Sequence, residues 1–482
     1  MYKPYPIQQR EIDKIVEFIK KRTAKKGVFV MPVSFGKSLV ISQVAMKYPE
    51  KYFINIAPNK ELVQQNYETY KSYGFEASVC SASLDSNEVS QVTFATIGTL
   101  KKHYKYFRDK DVVLVQDECH SNSLRDSELG KFFKKLHKCK LLGVTATPMR
   151  LNNTMGGSKL SMLNRQRDCI YSSIESVVQV SEVIQQNLWS KLVYDVEDVD
   201  EDKLQLNTTG SDYTLKSLAE FSKANDIEQK CVEAVYRLRD EGRESCIVYV
   251  SSIDEAESVA SKIDNAAVLH SKLKKDERNR VVSGFKSGEI ATVVNVGILK
   301  QGFNYPQLSS IVFARPTNSY TLYYQILGRL VRKAEGKTDA KLVDISGNYN
   351  KFGAIEELNF VNEDWCGGWA AFSGDKLLTN YALGSSLVPT KQSLQEHYQN
   401  LIDGAKDEVD PFMPFGKFKG QRLSLVMRKN EGYISWVVNP KTNFKFYGEK
   451  GLILKKAIYT ALKLPMNDFK DVIINDRSKL PF

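Results

Sequence analysis

The stretch VVLVQDECH, residues 112–120, decides how the rest of the chain folds. Val112 to Val115 are apolar without alternation, which predicts a strand buried on both faces, as in parallel sheets covered by helices. That strand runs into Asp117 and Glu118. Open α/β sheets collect ligands at the carboxyl ends of their strands. An acid pair there can put one carboxylate on Mg2+ and its neighbour beside an attacking water, roles that fall to Asp117 and Glu118 in that order. Standing alone, such a pair is equally a solvated turn, so a partner element is needed.

That partner lies upstream. The apolar strand GVFVMPV (27–33) passes into Ser34-Phe35-Gly36-Lys37-Ser38 and then an apolar helix. Strand, tight loop and helix N-terminus make a cradle of backbone N–H groups for phosphate. Lys37 would reach the β- and γ-phosphates, and the Ser38 hydroxyl would ligate Mg2+ beside Asp117. The pattern G-x-x-x-x-G-K-[ST] is imperfect. Met31 holds its first position, and Ser34-Phe35 stand where Gly-Ser or Gly-Thr is common. Pro32, Val33, Ser34, Phe35, Gly36, Lys37 and Ser38 are the nucleotide-binding candidates.

The same grammar repeats on either side. YFINIAP (52–58), QVTFAT (91–96) and KLLGVTAT (140–147) complete a first block of strands. SCIVYVSS (245–252), AAVLHS (266–271), ATVVNV (291–296), SSIVFAR (309–315) and KLVDIS (341–346) make a second. Helical stretches separate the strands, so the predicted class is α/β, with two tandem parallel-sheet lobes. Lobe 1 is expected over 1–190, its last forty or so residues serving as a lid or insertion. An acidic linker follows over 191–225, lobe 2 over 226–365, a closing segment over 366–411 and a small basic α+β module over 412–482.

The chain has 482 residues, 42% hydrophobic and 26% charged, which suits a globular protein of two or three domains. No apolar run approaches the roughly 18–20 residues that cross a bilayer. The opening MYKPYPIQQREIDKIVEF reads as a loop entering an amphipathic helix, not as a signal peptide. Seven scattered cysteines without a C-x-x-C pair argue against a zinc site or disulfide framework and for a reducing cytoplasm. Net charge is +11, and from Pro414 onward 14 Lys+Arg face 5 Asp+Glu. A basic tail suits a polyanion. Lys417, Lys419 and Arg422 are candidate phosphate contacts there, while Phe415, Phe418, Tyr433 and Trp436 are expected in the module's own core.

Further motifs, in order, carry a resemblance. Asp117-Glu118-Cys119-His120 is similar to the D-E-x-H box of the superfamily 2 DEAD/DEAH-like helicases. Gln8 resembles their adenine-reading glutamine, Pro58-Asn59-Lys60-Glu61 opens a stretch similar to motif Ia, and Ala95-Thr96-Ile97-Gly98-Thr99 resembles the next strand-gripping motif. Thr145-Ala146-Thr147-Pro148 matches motif III, and Tyr249-Val250-Ser251-Ser252 looks like motif IV. NVGILKQGFNYP (295–306) is similar to motif V, with Asn295 and Asn304 replacing the family's Thr and Asp. Gln325-Ile326-Leu327-Gly328-Arg329-Leu330-Val331-Arg332 fits motif VI without departure.

The resemblance, spanning about residues 5–348, implies two RecA-like lobes and an ATPase using ATP and Mg2+. It implies catalysis by Lys37, Asp117, Glu118, Gln325, Arg329 and Arg332, with Gln8, Gly302 and Asn304 at the nucleotide. Gln325, Arg329 and Arg332, at offsets 0, 4 and 7, would share one helical face, with the two arginines acting as arginine fingers. His120, Thr145 and Thr147 would couple the nucleotide to the nucleic-acid path. Pro58, Asn59, Lys60, Thr96, Ile97, Ser251, His270 and Asn295 would line that path. In detail the chain looks nearest to phage UvsW-type, RecG- and restriction-translocase-like branch-migration helicases, and the tail resembles an exonuclease X C-terminal-like domain. The implied partner is duplex or branched DNA, handled by a monomer away from membranes, in replication, recombination or repair. An RNA-stimulated remodelling ATPase and a catalytically inert nucleic-acid scaffold remain alternatives.

Overall fold

A computed structural model describes residues 3–462 apart from 23–24, 155–156, 167, 172, 209, 298, 300–302, 364, 367, 381–388, 404–407, 439–443, 445 and 447. Lobe 1 holds β1 (Lys26–Val30), β2 (Tyr52–Ile56), β3 (Ser78–Ser81), β4 (Ser86–Asn87), β5 (Val92–Ala95), β6 (Asp111–Asp117) and β7 (Lys138–Thr145). A hairpin of β8 (Met149–Thr154) and β9 (Gly157–Met162) follows, and β10 (Ile174–Val177) then returns to the sheet. The order is β10-β1-β7-β6-β2-β5-β3-β4, parallel throughout except for β4. Val28, Phe29 and Val30 are all fully buried, as are Val112, Val113 and Leu114, so helices cover both faces.

Lobe 2 holds β11 (Lys191–Val196), β12 (Cys246–Tyr249), β13 (Ala266–His270), β14 (Thr292–Val296), β15 (Ser310–Phe313) and β16 (Asp339–Asp344), in the order β11-β16-β15-β12-β14-β13. Every neighbouring pair is parallel. Strand β11 corrects the expected linker over 191–225. Its acidic, half-buried residues disguise it, because an edge strand needs cover on one side only.

The rest of that stretch is also bound to lobe 2. Asp212 accepts from Arg315 Nη2 at 2.6 Å and from Asn318 N at 3.2 Å, and Gly210 O accepts from Asn318 Nδ2 at 2.9 Å. The helix Leu215–Ala224 follows, capped by Thr214.

Motif VI departs from a continuous helix. The helix Tyr320–Leu327 gives its last regular bond from Gly328 N to Tyr324 O, after which Arg329 N bonds Ile326 O and Leu330 N bonds Leu327 O. Tightening to i→i−3 bonds takes Arg329 and Arg332 off the helical face that offsets 4 and 7 predict.

Among the described residues, both lobes belong to one compact unit running to Asn359 and taking in Leu378–Asn380. A second unit covers Phe360–Leu377 and the chain from Pro389. Its core joins Met413 and Phe418, which precede the helices, to Leu423, Val426, Ile434, Val437, Leu454 and Ile458 from three helices, Leu423–Lys429, Glu431–Val438 and Gly448–Ala461. The helix Lys391–Asp403, within the stretch expected to be only a closing segment, joins this unit by setting Tyr398 against Leu452 and Ile453. Where an α+β module is expected, the described residues from 412 onward carry these helices and one β-bridge, Phe412 with Arg422.

Candidate nucleotide and nucleic-acid site

Register brings the three lobe-1 motifs together. Val30 at the end of β1 pairs with Thr145, and Val144 in β7 pairs with Asp117. The phosphate-type loop, Thr145 and the acid pair therefore leave adjacent strand ends side by side. They face a cleft of about 580 Å³ whose lining includes Gln8, Ser34, Lys37, Ser38, Asp117 and Glu118 from lobe 1. Asn304, Gln325, Gly328, Arg329 and Arg332 line it from lobe 2. Val33, Phe35 and Gly36 also line the cleft, whereas Pro32 is buried, its carbonyl accepting from Phe35 N. Gly302 lies outside the described residues.

The loop's departures from the glycine-rich pattern have structural counterparts. Ser34 adopts φ +58°, a left-handed conformation usually left to glycine. Its hydroxyl donates to Gly328 O at 2.9 Å, so the strained residue ties the loop to motif VI. Gly36 is at φ +90°, and a Cβ there would lie 2.7 Å from Gln8 Nε2. Gln8 itself donates to Phe35 O at 2.6 Å while its Oε1 accepts from Tyr5 N. Trp189 Nε1 donates to Val33 O at 3.0 Å, holding the other side of the loop.

Opposite charges meet closely in the cleft. Lys37 Nζ lies 3.5 Å from Glu118 Oε1, and Glu118 adopts φ +47° with its buried Oε2 lacking a hydrogen bond. Burial, then the adjoining Glu118, pushes the Asp117 carboxyl above the usual range, opposed by Lys37 and Asn66. Asn66 donates to Asp117 Oδ2 at 3.0 Å and accepts from the Ser38 hydroxyl, so one amide bridges the two expected Mg2+ ligands. A buried carboxylate whose charge is this poorly compensated, next to an orphaned carboxylate oxygen, fits a hard cation that keeps its other positions for phosphate and water. No group of three or more His, Cys, Asp or Glu among the described residues makes a self-sufficient metal cage.

His120 Nδ1 lies 2.8 Å from Thr145 Oγ1 and 3.4 Å from Glu118 Oε2, and Thr147 N donates to Thr145 Oγ1 at 3.1 Å. Burial, then Lys37, lowers the His120 pKa to about 4, so the ring is neutral at pH 7. Burial raises the Cys119 thiol far above its ordinary value, leaving it unreactive.

From lobe 2, Arg329 Nη1 donates to Gln325 O at 2.6 Å, and its buried Nε has no partner. Arg332 Nη1 donates to Phe303 O at 2.7 Å and Asn304 Oδ1 at 2.9 Å, which gives Asn304 a role where the family has an acid. Burial and the neighbouring Arg329 lower Arg332 to about 10, and burial lowers Arg329 as well. Two desolvated guanidinium groups thus face the acids and Lys37 with spare donor capacity.

A second cleft of about 850 Å³ opens between the lobes. Asn59, Lys60 and His120 line it from lobe 1, and Lys275, Arg278, Lys286 and Gln325 from lobe 2. Asn59 also caps the helix Lys60–Lys71 by accepting from Leu62 N. The basic side chains at 275, 278 and 286 were not singled out from sequence. Their i, i+3, i+11 spacing on the helix Lys275–Ser287 is the signal that could have found them. Asn66, Trp189 and Lys333, also unforeseen, carry no local signal.

Other expected nucleic-acid contacts fall elsewhere. Asn295 is a correction: it is fully buried, and its Oδ1 accepts from Leu299 N at 3.1 Å, so it braces the turn after β14 instead of facing a ligand. His270 is also buried, its Nδ1 accepting from Lys272 N. Pro58 is exposed, while Thr96, Ile97 and Ser251 are half-buried and border neither cleft. In the second unit Lys417 and Lys419 are exposed, and Arg422 donates to Asp410 O and lies over the Phe412 ring at 4.2 Å. Phe418 is buried and Phe415 and Tyr433 pack on the core, as expected, whereas Trp436 is 46% exposed.

The family described as type III restriction enzyme, res subunit, matches residues 1–150, and the helicase conserved C-terminal domain matches 228–334, together just over half of the chain. A "51.5 kDa protein" of a Lactococcus phage is 23% identical over 347 residues, 70% of this chain and 69% of that protein. The putative ATP-dependent helicase IRC3 of Saccharomyces cerevisiae is 22% identical over 363 residues, 70% of this chain but 51% of its own length. Among solved structures, the ATP-dependent Type ISP restriction-modification enzyme LlaBIII bound to DNA superposes with a TM-score of 0.51 at 15% identity, over 72% of this chain and 28% of that one. At that identity the likeness speaks for the fold.

Proposed function

The chain belongs to the superfamily 2 helicases, and from that premise we propose that it is an ATP-dependent DNA translocase that remodels branched DNA such as forks and four-way junctions. The observation that carries this reading is the single cleft lined by Lys37, Asp117 and Glu118 from one lobe and Gln325, Arg329 and Arg332 from the other. Loop N–H groups and Lys37 would hold the phosphates of ATP, and Ser38 with Asp117 would hold Mg2+, which supplies charge neutralisation on the phosphates. Glu118 would orient the attacking water through its unpartnered oxygen. Arg329 and Arg332 would stabilise charge on the transferring phosphoryl, an effect of roughly 10³–10⁵ in rate for arginine fingers.

Because these groups sit on different lobes, hydrolysis depends on how the lobes close, which is how turnover becomes movement. The second cleft supports a nucleic-acid path: its lysines and arginine suit phosphate, and it shares Gln325 with the nucleotide cleft. His120 borders it and contacts both Thr145 and Glu118 directly, so one ring connects this cleft to the nucleotide site. The match to the type III restriction enzyme res-subunit family favours DNA, and the branch-migration role extends the UvsW-type likeness of the motifs.

Steady-state ATPase assays with single strands, blunt duplex, forks, four-way junctions and RNA test the proposal. Forks and junctions are expected to stimulate turnover most. Stimulation by RNA and by no DNA would select the RNA-remodelling alternative, and no response to any nucleic acid would end the motor reading.

A further inference from the structure

Lys337 lies outside every motif, five residues beyond Arg332, yet its ammonium closes a three-way junction behind the nucleotide cleft. It donates to Leu330 O at 2.7 Å, Pro306 O at 3.0 Å and Arg332 O at 3.1 Å. An ammonium carries three protons, so its donor set is filled. Two of those carbonyls belong to the motif VI turn, and the third ends the motif V loop.

From the other side the Arg332 guanidinium grips the same loop at Phe303 O and Asn304 Oδ1. Arg332 O also accepts from Ser190 Oγ at 3.0 Å, and Ser190 N donates to Val331 O at 2.8 Å. The chain reaches this place through a turn with Gly336 at φ +76° and Lys337 N bonded to Ala334 O.

We propose that Lys337 is a positioning residue for ATP hydrolysis, gathering the Pro306, Leu330 and Arg332 carbonyls so that the Arg332 guanidinium is held toward the nucleotide. The inference rests on the reading of the cleft as an ATPase site. Three carbonyl dipoles converge on one cation, and without it their oxygens repel and the two loops relax apart. Transition-state stabilisation by a guanidinium is sensitive to such small displacements. A neutral amine offers two N–H groups to three oxygens, so losing the proton also loosens the junction.

The charged surroundings place that loss within reach of ordinary buffers. Burial and Arg332 lower the Lys337 pKa, as does Arg243, with Asp339 opposing, to about 8. Arg243 is itself paired with Asp339 and Glu241, and Glu335 meets the junction through its carbonyl, which accepts from Gln307. Arg332, at about 10, titrates above this window.

The test is DNA-stimulated ATPase of the full chain from pH 6.5 to 9.5. Wild-type turnover is expected to fall as pH rises through about 8. Lys337→Met should lower kcat at pH 7 by about tenfold while KM for ATP moves less than about threefold, and should lose the alkaline limb. Lys337→Arg keeps a permanent charge and should shift the limb upward. A folded Lys337→Met with wild-type kcat overturns the inference, as does a flat wild-type profile or an unshifted limb in Lys337→Arg. Should Lys337→Met fail to fold, the wild-type and arginine profiles still decide. A wild-type chain that hydrolyses no ATP with any nucleic acid removes the ATPase reading itself, a different result from an active wild type indifferent to Lys337.

Discussion

At the scale of single residues, Glu118 and His120 make the sharpest statements. Glu118 combines a left-handed backbone, a buried unpartnered oxygen and contact with Lys37. Strain and an unsatisfied group persist together where function requires them. Glu118→Gln keeps the shape and removes the base, so kcat should fall by about 10²–10⁴ while nucleotide affinity holds within a few-fold. Lys37→Ala should instead weaken nucleotide binding as well. Unchanged zero turnover in wild type and both variants would mark an inert scaffold. His120 sets a pH dependence. Its folded pKa of about 4 lies below the ordinary 6.5, so the folded state binds fewer protons than the unfolded chain between those values. Its contribution is full above pH 6.5 and is lost as pH falls through 4, on the order of 3 kcal/mol in total. Thermal unfolding from pH 7 to 4 should therefore drop less steeply for His120→Asn than for wild type, and parallel curves would refute the assignment.

Elements meet where motif VI touches the phosphate-type loop. A Cβ on Gly328 would stand 2.7–2.8 Å from three side-chain carbons of Val33, so this glycine is there for close approach and not for backbone freedom. Gly328→Ala should push the turn off the loop, costing about 1–3 kcal/mol and, because Arg329 and Arg332 follow directly, reducing kcat by about tenfold. Val33→Gly in the same chain should restore part of that activity, and a silent Gly328→Ala would show that the turn can shift freely. The connector works at this scale too. Asp212→Ala removes the partner of Arg315, whose Nε already lacks a bond, and should lower stability by about 1–2 kcal/mol in denaturant titration. Residues 191–225 were expected as a linker because local composition cannot show that Arg315 and Asn318, about a hundred residues on, would donate to Asp212.

For the whole molecule, the basic tail and the two clefts pose the remaining question. If Lys417 and Lys419 contact phosphate, replacing both with alanine should make the plot of log affinity against log salt shallower by about two. An unchanged slope would remove them from the path. How much was legible in advance follows from where each signal resides. The ten strands read from sequence all form, because uninterrupted apolar runs announce burial on both faces. Strands β3, β4, β8, β9, β10 and β11 escaped notice, since short, hairpin or edge strands carry little apolar signal. Lys37, Ser38, Asp117 and Glu118 were equally legible, being fixed by contiguous residues at a strand end. By itself, then, the sequence determined the parallel-sheet lobes and the phosphate and acid motifs, whose causes are local: periodicity, strand ends and helix N-termini. Only the tertiary structure decided that Asn66 bridges Ser38 and Asp117, that Asn295 is sealed inside, that the arginines leave their helix and that Lys337 backs Arg332. Those outcomes depend on which distant backbone atoms arrive beside a side chain, and no spacing along the chain encodes that.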